Sequence, residues 1–281
     1  MGNPTQAPNT SFLRYPGGKG RMLGFIGQHL LSRSTVASRY VEPFVGGGAV
    51  FFYLCPEHAW LSDINSDLID IYRGIRKSPR QVWRRYCEFG SSKAEYRRVR
   101  DFDRPSRLVD RAARILYLNR TCFKGMWRHN RNGEFNVGYG GQARRWAITE
   151  EMLLVASRML RKAHIQCGDF EDVVDECGVG DFLFLDPPYR PSEREQIHDH
   201  YVGRQFTFAD HRRLAAALKR ARRRGAHWAL TTTTHPDVIG LFRASYAIEI
   251  PHGTGRQPGI RVANSGEVLM ASYSLTGGQA L

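Results

Sequence analysis

Paired cysteines are missing from this sequence. Cys55, Cys87, Cys122, Cys167 and Cys177 are scattered, odd in number and nowhere form a C-x-x-C pair. That argues against a disulfide framework and against a zinc site, and it points to reduced thiols in a cytoplasmic protein. H-E-x-x-H is absent too. His198 and His200 flank Asp199 in what reads as a solvated loop, so no metal is expected. No apolar run approaches the roughly 18 residues of a membrane span. Met1 to Asn9 is polar and lacks the apolar stretch of a secretory signal; it and Leu275 to Leu281 are expected to be short mobile tails. Neither a Walker A pattern nor a G-x-G-x-x-G after a strand occurs. Gly253-Thr254-Gly255 lacks the strand-turn-helix context. Internal repeats and low-complexity tracts are also absent.

Acidic residues are scarce in one place only. The net charge is +14. Ser66 to Arg145 carries 20 Lys/Arg against 8 Asp/Glu, a net +12, leaving 21 against 19 elsewhere. Arginine dominates, and its planar multi-donor head suits phosphate oxygens and guanine edges. So concentrated a basic module predicts a polyanionic partner.

Strand and helix alternate on both sides of that module. Lys19 to Ser32 is expected to be helical, Tyr40 to Phe44 a strand, Ala49 to Leu54 a helix and Ala59 to Asp63 a strand. Helices then take over to Arg120. The clearest is Arg107 to Leu118, with Leu108, Ala112, Ile115 and Leu116 on one face. Asn132-Gly133 signals a type I′ hairpin turn joining Trp127–Arg131 to Glu134–Val137. Thr149 is the expected N-cap of a helix to Arg161. Strands at Ala163–Cys167, Asp181–Leu185, Ala226–Thr232, Tyr246–Ile250 and Glu267–Ser272 follow, with helices at Phe208–Arg224 and Pro236–Phe242. The simplest architecture is a mostly parallel α/β sheet interrupted by a basic helical module with a hairpin.

Val41 to Phe44 runs into Val45-Gly46-Gly47-Gly48 and then a helix. Glycines there let backbone approach a ligand, although a tight structural turn would use them equally well. Asp63 follows Gly46 by 17 residues at the end of the next strand, where a carboxylate can hold ribose hydroxyls. Without a phosphate-binding fingerprint, a cofactor with ribose and no phosphate fits better than a dinucleotide; S-adenosylmethionine is one.

The buried strand to Leu185 feeds into Asp186-Pro187-Pro188-Tyr189. Prolines stiffen the strand end and remove N–H donors, leaving a carboxylate, a free carbonyl and an aromatic face. Two prolines alone could simply cap a strand. With the flanking Asp186 and Tyr189 they suit a planar amine such as adenine's. Asp186 and the Pro187 carbonyl would accept its two N–H groups and expose its lone pair for direct in-line attack, with Tyr189 stacked on the base. Such a base must leave the duplex by flipping.

Taken together, these residues resemble the Dam-type family of DNA adenine-N6 methyltransferases from about Phe12 to Tyr273. The matching motifs are Arg14-Tyr15-Pro16-Gly17-Gly18-Lys19, Val41 to Gly48, Leu61 to Ile69, Leu118-Asn119-Arg120 through Gly133 to Val137, Gly168-Asp169-Phe170 and Asp186 to Tyr189. The resemblance implies a seven-stranded, mostly parallel methyltransferase (Rossmann-like) sheet. Residues 1–65 and 146–281 would form an S-adenosylmethionine-dependent catalytic domain, and residues 66–145 a target-recognition insertion. It implies that Tyr15, Lys19, Phe44, Gly46, Gly48, Asp63, Asp169 and Phe170 hold the cofactor, Asp169 near its adenine. Asp186 would lie between cofactor and target amine, with Pro187, Pro188 and Tyr189 completing the catalytic set. Double-stranded DNA would meet Arg14, Phe123, Lys124, Met126, Arg128 and Asn132, with Phe123 as a wedge and Arg128 reading a base. Lys124 stands where many members carry asparagine, and Gly138 where the GATC-specific ones tend to carry proline. Related sites act on RNA adenine, protein glutamine or cytosine; the basic module argues against protein, and Asp before the prolines leans towards adenine. A DNA-binding module without chemistry is the reading that intact motifs oppose. The sequence does not set the oligomeric state, and a monomer is compatible with it.

Overall fold

The computed structural model describes residues 12–15, 17–31, 36–130, 132–189, 206–242, 246–251 and 266–280. Its strands are β1 (Tyr40–Glu42), β2 (Ala59–Asp63), β3 (Ala163–Cys167), β4 (Phe182–Leu185), β5 (His227–Thr233), β6 (Tyr246–Glu249), β7 (Glu267–Ala271) and β8 (Gln279–Ala280). Its helices are α1 (Leu23–Ile26), α2 (Ala49–Leu54), α3 (Ser66–Lys77), α4 (Pro79–Glu88), α5 (Lys93–Asp101), α6 (Leu108–Thr121), α7 (Glu150–Leu160), α8 (Phe170–Asp175), α9 (Phe208–Arg223) and α10 (Pro236–Ile239).

All strands join one sheet in the order β3-β2-β1-β4-β5-β7-β6-β8. β1 to β5 run parallel; β7 pairs antiparallel with β5 and β6, and β8 pairs antiparallel with β6. The seven-stranded frame is therefore the expected one, and β8 extends its edge. Side chains alternate across it, as strand geometry requires. Tyr40, Leu61, Phe182, Phe184 and Leu269 face a core shared with α2, α3, α6 and α7. Val41, Trp60, Leu183, Leu185, Leu230 and Met270 face one shared with α8 and α9.

The basic stretch leaves the sheet after β2 and returns at β3. α3 packs on both strands and on α6. Its Gly74 lies so near α6 that a Cβ there would sit 2.5 Å from that of Ala112. Caps set the helix starts: Asn65 accepts the Asp67 and Leu68 amides, Thr149 accepts Met152, and Thr207 with Asp210 forms a capping box at α9.

Four expectations need correction. The helix foreseen from Lys19 to Ser32 shrinks to a 3₁₀ turn, Lys19–Arg21, and the single turn of α1. Gly20 and Gly24 weaken these turns, each costing about 1 kcal/mol against alanine, and α1 stops at Gly27. The hairpin exists, but its pairing reduces to isolated bridges, His129↔Phe135 and Cys122↔Tyr139. Its turn is not a two-residue type I′ loop, because the Asn130 amide bonds the Glu134 carbonyl around a longer loop, with Gly133 at positive φ. Asn130 and Glu134 close the loop instead, and Asn130 Oδ1 accepts the Asn132 and Glu134 amides. The terminal stretch from Leu275 is no loose tail: Leu275 is buried and Gln279–Ala280 forms β8. α8 was not foreseen; six residues are too few to show a period. Met1 to Asn9, Pro16, Ser32, Arg131, His198, His200 and Gly253 to Gly255 lie outside the described residues.

Candidate active site

β1 and β4 lie side by side at the point where strand order reverses, and both end at the same rim of the sheet. Open α/β sheets bind ligands there. The loop after β1 is held tightly. The Val45 amide bonds the Ser62 carbonyl at 2.9 Å, and Tyr72 donates to the Gly46 carbonyl at 2.8 Å. Gly46 and Gly48 have φ of 44° and 67°. A Cβ on Gly46 would lie 2.9 Å from the Tyr15 ring, and one on Gly48 would lie 2.8 Å from the Tyr72 hydroxyl. Glycine is required at both by conformation and by space.

Asp63 closes this cradle from β2. One carboxylate oxygen accepts the Gly46 amide at 3.1 Å, the other the Asn65 amide at 3.0 Å. Burial pushes its pKa up to about 6 despite these bonds. On the far side Phe44 stacks on Phe170, centroids 5.2 Å apart. Asp169 caps α8 through the Glu171 amide and receives Arg213 Nη2 at 2.8 Å. The Arg213 guanidinium lies over the Phe170 ring at 4.9 Å.

Beside the cradle stands Asp186. Lys19, only 4% exposed, places Nζ 2.8 Å from Asp186 Oδ1 and donates to the Gly17 carbonyl at 3.0 Å. The same Oδ1 receives the Thr231 hydroxyl at 2.7 Å and the Tyr189 hydroxyl at 3.4 Å. Among the described residues no donor reaches the Pro187 carbonyl. Pro187 is buried and Pro188 half-buried. Burial first, then the Asp186 and Glu267 carboxylates, hold the Tyr189 phenol well above its usual pKa, so it stays protonated. Lys19 Nζ lies 4.8 Å from the Tyr189 ring centroid. Glu267, at the start of β7, completes the group; burial raises its pKa, opposed by Lys19.

The residues expected to touch DNA cluster around a 3₁₀ turn, Phe123–Gly125. Phe123 is 50% exposed although large and apolar. Lys124 is held left-handed at φ 53°. Arg14 sends its guanidinium under this turn, to the carbonyls of Cys122 at 3.2 Å and Arg120 at 3.5 Å. It braces the turn that carries Phe123. Arg128 donates to the Asn136 side chain at 2.9 Å across the hairpin, Met126 is half-buried, and Asn132 is exposed at the tip. Trp127 is core: it donates to the Arg14 carbonyl at 3.0 Å and packs on Tyr15. His129 Nε2 meets Asp67 Oδ2 at 3.0 Å, tying the hairpin to the start of α3.

Much of the arginine excess is spent inside the module. Arg114, Arg120 and Arg145 are buried and hydrogen-bond backbone carbonyls. Arg73 and Arg76 bond carbonyls of β3. Arg98, Arg100, Arg104 and Arg111 pair with carboxylates. Lys77, Arg84, Lys93, Arg97, Lys124 and Arg144 are exposed and make no ion pair among the described residues.

The cofactor-side and catalytic residues expected from sequence thus surround one rim. Thr231, Tyr72 and Arg213 were missed. Thr231 had a signal, in that a buried strand ending Leu230-Thr231-Thr232-Thr233 carries hydroxyls at the catalytic rim. Tyr72 and Arg213 gave none, because a helical tyrosine or arginine has many ordinary uses. Among the described residues no cluster of three metal-ligating side chains occurs, and no helix is long and apolar enough to cross a membrane.

Comparison with known proteins agrees with this geometry. The family model for D12 class N6 adenine-specific DNA methyltransferases matches residues 15–249. A DNA N-6-adenine-methyltransferase of Escherichia phage P1 is 35% identical over 84% of the chain; the match spans 31% of that longer protein. A type II methyltransferase of Lactococcus lactis subsp. cremoris is 34% identical over 83% of this chain and 84% of its own. Another, from Methanocaldococcus jannaschii, is 33% identical over 85% of this chain and 89% of its own. With its glycine cradle and its Asp-Pro-Pro-Tyr strand end at one rim, the chain belongs to the D12 class of N6 adenine-specific DNA methyltransferases.

Proposed function

We propose that the chain is a site-specific methyltransferase that uses S-adenosylmethionine to methylate the N6 amine of adenine flipped out of duplex DNA, with Asp186 to Tyr189 as its reaction centre. The observation that carries this is the Asp186 carboxylate, held by Lys19 at 2.8 Å beside the glycine cradle. The cradle fits the cofactor's chemistry. Gly46 and Gly48 leave no room for a side chain, and Asp63 presents a buried acceptor for ribose hydroxyls. Tyr15, Lys19, Phe44, Asp169, Phe170 and Asp186 would line the rest of the site. When bound, S-adenosylmethionine supplies an electrophilic methyl group.

The protein's own part is positioning and fixed electrostatics. Asp186 and the Pro187 carbonyl take the two N–H groups of the amine, which draws nitrogen towards tetrahedral geometry and frees its lone pair. Pro188 stiffens the strand end and Tyr189 offers its ring to the base. The surplus proton leaves after transfer. Phe123 fills the gap in the base stack, and Arg128 gives up Asn136 to read a base edge. Arg14, Lys124, Met126 and Asn132 support that contact. Residues 66–145 form the DNA-reading part, and residues 1–65 with 146–281 the catalytic part. Its place of work is the cytoplasm, where unpaired thiols persist.

Asp186→Ala tests the centre. It should abolish methyl transfer to plasmid DNA while cofactor binding by calorimetry stays within about threefold. Transfer at the normal rate, or labelled N4-methylcytosine in the nucleoside digest, would refute the reading.

A further inference from the structure

Donors on Asp186 are unevenly distributed. Thr231 Oγ1 at 2.7 Å, Lys19 Nζ at 2.8 Å and the Tyr189 hydroxyl at 3.4 Å all meet Oδ1. Among the described residues nothing donates to Oδ2. A carboxylate oxygen has two lone pairs, so Thr231 and Lys19 already fill Oδ1, and the Tyr189 phenol, which also meets Glu267, is a longer third contact.

The donors differ in how firmly they are placed. Lys19 reaches over on a four-carbon stem, and Tyr189 must be free to meet a base. Thr231 is a β-branched residue in the body of β5, 0% exposed. Leu230 pairs in register with Leu185, so the next residue of β5 lies beside Asp186. The hydroxyl also meets the Leu185 carbonyl, at 3.4 Å, and the Tyr189 hydroxyl, but the charged carboxylate at 2.7 Å is the strongest acceptor, so the proton goes to Asp186. Rotating the carboxylate to exchange its oxygens would break this bond.

We propose that Thr231 is a positioning residue: its hydroxyl pins Oδ1 of Asp186 and thereby presents Oδ2 to the target amine. This rests on Asp186 being an acceptor for that amine. Thr231 touches no reacting atom. Its effect lies in the orientation of the catalytic carboxylate, where a misplacement of about 1 Å costs about 100-fold in rate.

The test compares full-length Thr231→Val, Thr231→Ser and Asp186→Ala with the unaltered chain. Valine keeps the volume and removes the donor. Thr231→Val should slow single-turnover methyl transfer by about 10- to 100-fold. KM for DNA and the cofactor Kd should stay within about twofold, because neither ligand meets the hydroxyl. Thr231→Ser restores the donor and should recover the rate to within about threefold of normal. A normal rate in Thr231→Val, or a loss seen only in KM, overturns the inference. An inactive Asp186→Ala beside a normal Thr231→Val overturns it alone; a fully active Asp186→Ala overturns the reading of Asp186 as well. Should Thr231→Val fail to fold, Thr231→Cys keeps the size with a weaker donor. It should then be at least about fivefold slower than Thr231→Ser, and equal rates would overturn the inference.

Discussion

The Asp63 carboxylate bonds the backbone amide of Gly46 at 3.1 Å and so locks the end of β2 to the loop after β1. Its burial raises its pKa from 3.8 to about 6. With Asp63 as the proposed ribose ligand, only its carboxylate form accepts both hydroxyls. Cofactor affinity should therefore be flat on the alkaline side and weaken as pH falls through about 6, approaching about tenfold per pH unit below it. The sign for folding is the opposite. Between 3.8 and about 6 the folded chain binds the extra proton, so Asp63's contribution to stability falls as pH rises through that window. Calorimetric titration of the cofactor from about pH 5 to about pH 8 checks the first statement; Asp63→Asn should flatten the curve. A pH-independent Kd in the unaltered chain would contradict it.

Arg213 joins Asp169, Glu171 and Asp210 through one guanidinium. It holds the Asp169 carboxylate at the edge of the Phe44–Phe170 stack. Arg213→Gln should raise the cofactor Kd about tenfold, the order expected for losing a partly exposed charge-assisted bond. The rate at saturating cofactor should not change, since nothing at Asp186 is touched. A loss of kcat with an unchanged Kd would show that Arg213 does something else.

The sequence revealed what repeats or punctuates and hid what depends on tertiary placement. β2 and β3 matched their expected limits because each is a compact run bounded by turn residues. The Thr149 cap was legible because capping is local. The helix after Lys19 is shorter than expected because three glycines lower its propensity. The hairpin turn was misassigned because Asn130, outside the Asn-Gly pair, supplies the acceptor that sets the loop. At the site, Asp186 and Gly46 stood in motifs. Thr231 carried only the signal of a hydroxyl-rich strand end, and its partner became visible when β5 was laid against β4, with Asp186 45 residues away along the chain.

Arg145 is 2% exposed and donates to the carbonyls of Gly90, Phe89 and Tyr86, closing the end of α4. Arg97 is exposed. The two should behave oppositely. Arg145→Met strands several buried carbonyls and should cost about 3 kcal/mol or more, lowering Tm by about 6 °C or more. Arg97→Ala should leave Tm within about 1 °C and reduce the salt slope of DNA binding by about 1. Thermal melts and DNA titrations at several salt concentrations read both. An unchanged slope for Arg97 would remove α5 from the DNA face.

Lys124 sits at φ 53°, ψ 11°, beside the exposed ring of Phe123. That region costs an ordinary L-residue about 1 kcal/mol, and asparagine tolerates it best among non-glycine residues. Lys124 is therefore a strained residue at this turn. Its ammonium lies 5.3 Å from the Phe123 ring centroid, which partly offsets the strain. Lys124→Asn should gain about 0.5 kcal/mol, a rise in Tm of about 1–2 °C. It should also weaken DNA binding by the loss of one cation, seen as a shallower salt slope. The two effects have separate causes, backbone strain and phosphate attraction, so Lys124→Gly should reproduce the second while its gain in Tm is reduced or lost through glycine's unfolded-state entropy. A fall in Tm for Lys124→Asn would mean that the lysine's ring contact outweighs the backbone cost.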